Sequence, residues 1–189
     1  QVTTTILLQQ VLLKYAKQVP IFVAGGIATG TLAAHLLMCG AAGIQMGTRF
    51  VMTEECLAHP KFKDYFARAN ARDAVSTAQF DPRLPVVSVR AIRNKGTLEF
   101  GKLQLNLLRE VEAGNMTRQA AQEELERFWV GALRKAVVDG DVDNGSVMAG
   151  QCVGMVEKVM PVRDLLKEIM EDGEKEIGRI KKFLTDSGV

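Results

Sequence analysis

The stretch Pro20–Phe50, PIFVAGGIATGTLAAHLLMCGAAGIQMGTRF, constrains the fold more than any other part of the chain. Ile21–Ala24 is a short apolar run without alternation, as in a strand buried on both faces of a parallel sheet. Gly25-Gly26 ends it. Thr29–Cys39 is rich in helix formers, and Leu32, His35, Leu36 and Cys39 recur at spacings of three and four, which predicts one inward face. Gly40 and Gly43 mark the turn back, Ile44–Met46 reads as a second strand, and Gly47-Thr48 closes it. The two strands are expected side by side and parallel, each ending in glycine at one edge of the sheet. In α/β proteins ligands bind at that edge. Glycine lets the backbone approach an anion and adopt positive φ. Backbone N–H groups at the turn and at the next helix start then point toward negative charge, and Thr48 adds a hydroxyl donor. The competing reading is glycine used only for tight turn geometry.

The 189 residues suit one domain or a portion of a larger one. A net charge of +2 gives no broad basic field for nucleic acid, and the few aromatics are not interleaved with basic clusters. Apolar runs are too short to span a bilayer. Gln1–Gln10 has no basic region ahead of its apolar run, so no secretory leader is read there. Cys39, Cys56 and Cys152 are widely spaced and without a CxxC pair, as in a reduced, cytoplasmic protein. Cys39 and His35 are expected in the core, and His59, beside Pro60, in a turn. Two distant histidines without an acidic partner argue against a zinc site.

Along the chain, Thr3–Lys17 reads as a helix capped by the threonines. A helix that leads straight into a parallel strand implies preceding sequence or a partner that supplies it. Thr53 is expected to cap a short helix with Glu54 and Glu55 in its first turn, where negative charge complements the dipole. Pro60 opens another over Lys61–Ala69, with Phe62, Tyr65, Phe66 and Ala69 on one face. Val75–Phe80 and Pro85–Ile92 are less regular, and Arg90–Asn94 reads as a solvated basic loop. Phe100–Val111 and Thr117–Val138 are amphipathic helices, with Trp129 as a packing anchor. In DGDVDNGSVMAGQCVG, Asp139, Asp141 and Asp143 resemble the start of a calcium loop. Gly150 replaces the bidentate acid such a loop needs, so turn chemistry is the better reading. Ser146 is a natural N-cap for a helix over Val147–Val156. A last helix runs from Pro161 toward Thr185, weakened at Gly173 and Gly178, with Glu171–Lys182 as a solvated face.

VAGGIATG, GIQMGTRF, HPKFKD, VRAIRN and GDVDNGSVMAGQ occur in order over nearly the whole chain. This set resembles the C-terminal half of the FMN-dependent nitronate monooxygenase and enoyl-acyl-carrier-protein reductase II family. The resemblance implies an α/β fold, the C-terminal portion of a TIM (β/α)8 barrel containing its last two strands, with an inserted and a terminal helical segment. The implied division is 1–52 for the last βα units, 53–138 for the insertion, and 139–189 for the return to the barrel and the C-terminal helices. It places the FMN phosphate on Gly25, Gly26, Gly47 and Thr48, with Gln45 and Met46 lining the approach. Ser146 and Gln151 fall toward the flavin ring or the substrate.

The family's histidine precedes Gln1, so the implied catalytic set is incomplete in this stretch. VRAIRN, the acidic GDVDNGSVMAGQ and the long charged C-terminal helix look more like the reductase branch, which reduces the trans-2 double bond of enoyl thioesters with NADH or NADPH. Arg90 and Arg93 would then assist an anionic pantetheine or nucleotide. The implied partners are enoyl-acyl carrier protein, the N-terminal half of the barrel and a second copy in a homodimer. The alternatives are the nitronate branch, which oxidises alkyl nitronates with O₂, and an inactive FMN- or phosphate-binding fragment.

Overall fold

The computed structural model describes residues 2–186. The chain forms two compact units, one from the residues up to Cys56 with those from Lys158 onward, the other from Leu57–Glu157. These boundaries group Asp139–Glu157 with the inserted segment.

The first unit opens with α1 (Thr4–Tyr15), where the Thr3 hydroxyl accepts from the Ile6 amide. β1 (Phe22–Ala24) and β2 (Gly43–Gln45) pair in parallel, in the register Phe22↔Gly43, Val23↔Ile44 and Ala24↔Gln45. α2 (Gly30–Met38) connects them, with the Thr29 hydroxyl capping it through the Leu32 amide at 3.2 Å. Leu8, Val23, Ile27, Leu36 and Ala41 form the small core beneath. α3 (Thr48–Val51) follows β2. This is an α/β arrangement with an open two-stranded parallel sheet; the described residues form no closed barrel.

The inward face of α2 differs from the one its pattern predicts. Leu36 is buried, but Leu32 is 40% exposed, and His35 and Cys39 also face out. The buried positions are Gly30, Ala33 and Ala34, where small side chains admit the terminal helix α7 (Val162–Asp186). A β-carbon on Gly30 would stand 2.7 Å from the amide nitrogen of Gly173. Gly173 and Gly178 therefore do not divide α7, which is continuous. Nor is Glu171–Lys182 uniformly solvated. The Asp172 carboxylate accepts from the Thr31 amide and hydroxyl at 3.4 Å, and Glu176 is buried against His35 at 2.7 Å.

No helix begins at Thr53. Thr53 bridges Met160 in parallel, and the Glu55 carboxylate instead accepts from the Val162 amide at 2.9 and 3.0 Å, satisfying the first turn of α7.

In the second unit, α4 (Pro60–Arg68) buries Phe62 and Phe66. His59 caps it, its Nδ1 accepting from the Lys61 amide at 3.1 Å. The same ring packs on Gly140, whose φ of 72° and lack of a side chain make room for it. β3 (Ala74–Ser76) pairs antiparallel with β4 (Arg90–Ile92). Arg90–Asn94 is thus a strand and a helix cap rather than a solvated loop. Ala91 and Ile92 are buried, and the Asn94 side chain caps α5 (Lys95–Glu112) through the Thr97 amide. α6 (Arg118–Val137) is capped by the Thr117 hydroxyl and packs on α5. Leu84, Phe100, Leu107, Leu108, Ala121 and Leu125 form their shared core, with the Trp129 ring 5.0 Å from that of Phe100.

Val147–Val156 is not an α-helix, and Ser146 is not its cap. Val147 accepts from the Ile92 amide at 2.8 Å and Ala149 donates to Arg90 at 3.1 Å, so this segment lies extended along β4. Only Gln151–Met155 winds into a 3₁₀ turn. The free edge of β4 satisfies backbone groups that a helix would otherwise satisfy internally.

Candidate functional site

The two glycine turns lie at the same end of the parallel pair. The register stops at Ala24↔Gln45, so Gly25-Gly26 and Met46-Gly47 leave the sheet together. Gly25 (φ 96°) and Gly26 (φ 75°) are both in the left-handed region, where a side chain costs about 1–2 kcal/mol. Apart from immediate chain neighbours, nothing among the described residues stands within 4 Å of where a β-carbon would sit on Gly25, Gly26 or Gly47. This surface is a shallow backbone cradle with open space in front of it. Gln45 is exposed beside it, and Met46 and Thr48 are half-buried.

Arg49, which no motif singled out, adds buried positive charge directly after Thr48. It is 8% exposed, and its Nη2 donates to the Glu168 carboxylate of α7 at 2.6 Å. Its Nε is buried without a partner. The sequence signal that could have found Arg49 is its place in GIQMGTRF, directly after the Gly47-Thr48 turn.

In the second unit, Ser146 is 3% exposed and its hydroxyl oxygen has no hydrogen-bond partner, while its amide donates to Ala132 at 2.7 Å. Gln151 is exposed at the start of its 3₁₀ turn. Asp141 accepts from the Asn144 amide and side chain, which is turn chemistry, and no acidic or histidine cluster able to hold a metal occurs among the described residues. A polar cavity of about 600 Å³ is bordered by Tyr65, Arg68, Asp73, Arg93 and Asp143. Burial, then the carboxylates of Asp143 and Asp73, push the Tyr65 phenol above its ordinary pKa.

The sequence model of the family described as nitronate monooxygenase matches residues 1–172. The chain belongs to the nitronate monooxygenase family. A probable nitronate monooxygenase of Bacillus subtilis is 26% identical, aligned over 85% of this chain and 42% of its own length. The 5-hydroxy-7a-methyl-1-oxo-octahydro-1H-indene-4-carboxyl-CoA dehydrogenase of Rhodococcus jostii is 25% identical over 93% of this chain and 55% of itself. Among solved structures, FabK from Thermotoga maritima superposes with a TM-score of 0.74 at 32% identity, covering 97% of this chain and 52% of FabK. This nitronate monooxygenase family member thus spans about half the length of the relatives it matches, which are oxidoreductases. No helix among the described residues is long and apolar enough to cross a membrane.

Proposed function

We propose that this chain is part of an FMN-dependent enoyl-thioester reductase. The observation that carries the reading is the 32% identity to FabK, an enoyl-acyl-carrier-protein reductase II, over 97% of the chain. The Rhodococcus relative, which by name acts on a carboxyl-CoA, also favours thioester substrates. In this reading β1 and β2 are the last two strands of a (β/α)8 barrel. Its N-terminal half would cover the apolar surface that the first unit exposes at Leu13, Phe22, Leu37 and Met38.

The cradle suits the FMN phosphate. The positive φ values at Gly25 and Gly26 and the open space at Gly25, Gly26 and Gly47 let backbone donors approach an anion. When bound, the flavin supplies the hydride chemistry, with NADH or NADPH as reductant. Gln45 and Met46 would line the approach to it. Ser146 and Gln151 are proposed for the flavin-ring or substrate side on the family pattern, and enoyl-acyl carrier protein as the substrate carrier.

The second reading, oxidation of alkyl nitronates with O₂, is favoured by the family match and the Bacillus relative. The native polypeptide that carries this sequence separates the two. Anaerobic oxidation of NADH or NADPH coupled to consumption of a crotonyl thioester is the expected result. Rapid oxygen uptake with propyl nitronate, and no nicotinamide oxidation, overturns the reductase assignment.

A further inference from the structure

The Leu57–Glu157 unit holds a second cavity, of about 390 Å³, with walls of opposite character to the polar one. Val75 and Ala91 of the hairpin, Phe100 and Leu105 of α5, and Trp129 of α6 line it. Phe80 and Leu98 also line it, and at 51% and 60% exposure they leave apolar surface facing solvent. The one deeply buried polar side chain, Gln104, spends its amide on the Ala78 carbonyl at 3.0 Å. Two cations border the cavity. Lys102 is paired with Glu99 at 2.7 Å, whereas Arg93 has no ion pair among the described residues. Apolar walls with one uncommitted cation match an amphiphile rather than a sugar or a nucleotide, whose polar groups would be left unpaired against such walls.

We propose that this cavity binds the unbranched hydrocarbon chain, roughly ten carbons long, of a carboxylate or acyl thioester, with Arg93 beside the head group. The inference goes beyond the reaction assignment, because a nitronate-oxidising enzyme with the same unit would bind the same chain. Its failure therefore leaves the reductase reading untouched, and the converse also holds.

Trp129 lines the cavity and is the single tryptophan of these 189 residues, so the part of the emission that a Trp129→Phe variant loses reports occupancy. The native polypeptide that carries this sequence is titrated with decanoate and, separately, with S-decanoyl-N-acetylcysteamine, both below micelle formation. A saturable change with at least one probe is expected. Gly101 lines the cavity, and a β-carbon there would lie 3.4 Å from the Phe80 ring. Gly101→Leu thus fills the space while improving helix propensity, and should abolish the response. Should that variant not fold, Leu98→Glu at an exposed position should give the same loss of decanoate binding. A decanoate response that Arg93→Ala weakens severalfold identifies a free carboxylate as the ligand. A response to the thioester alone identifies an acyl chain. The proposal is overturned by no saturable response to either probe, or by an undiminished response in a folded Gly101→Leu protein.

Discussion

A β-carbon on Gly30 would overlap the carbonyl oxygen of Ile169, so α2 and α7 meet backbone to backbone. The contact depends on a residue without a side chain, because neither helix backbone can yield without losing its own hydrogen bonds. Gly30→Ala should lower stability by about 3 kcal/mol through overpacking. Gly178, in α7 with nothing near its missing β-carbon, should instead gain about 1 kcal/mol on substitution by alanine. Chemical denaturation of the two variants reads the difference in sign.

The cradle makes a prediction that separates phosphate from ring. Gly26→Ala forces a side chain into the left-handed region at a cost of about 1–2 kcal/mol and moves the backbone donors. FMN affinity should fall roughly tenfold, the equivalent of about 1.4 kcal/mol, while riboflavin binding changes little. Equal losses for both ligands in flavin-quenching titrations would place the phosphate elsewhere.

Arg49 and Glu168 form an asymmetric pair, the cation buried and the carboxylate half exposed. Glu168→Gln should cost about 1 kcal/mol, the upper range for a solvated pair, because the buried guanidinium loses its compensating charge. A shift in the urea midpoint without a change in slope checks it.

Glu176 gives the first unit an acid-sensitive clasp. The hydrogen bonds from Arg179 and then from His35 hold its pKa down at about 2, from 4.5. A depressed carboxylate contributes stability that is complete above its unfolded pKa and disappears as pH falls toward the folded value. The melting temperature should therefore drop between about pH 4.5 and 2, and Glu176→Gln should flatten that part of the profile. An unchanged slope in the variant argues against the clasp.

The first unit exposes Leu13 at 91%, Phe22 at 65% and Phe183 at 64%, together with the open edges of a two-stranded sheet. Taken alone, the 189-residue polypeptide is expected to associate or rearrange. Sedimentation over a concentration series tests this, and a monodisperse monomer with one sharp melt would contradict it.

Much of this architecture was legible because its causes are local. Thr3, Thr29 and Thr117 cap helices by bonds that span three residues. The glycine-ended strands announce themselves through composition. Asp141 and Asn144 close their turn within three positions. Each satisfies backbone groups from its own neighbourhood, so residue type and spacing suffice.

What the amino-acid order by itself determined was the locally capped helices, the glycine-ended strand pair, and the collinear motifs that mark the family. Only the tertiary structure decided which faces meet. His35 turned outward because Glu176, 141 residues away, supplies its partner, and because Gly30, Ala33 and Ala34 let α7 come closer than Leu32 would. Ser146–Ala149 became extended because β4 offered a free edge. Arg49 became a buried charge next to Thr48 because Glu168 on α7 reaches it. Such choices depend on groups distant in sequence, whose burial and charge no local pattern encodes.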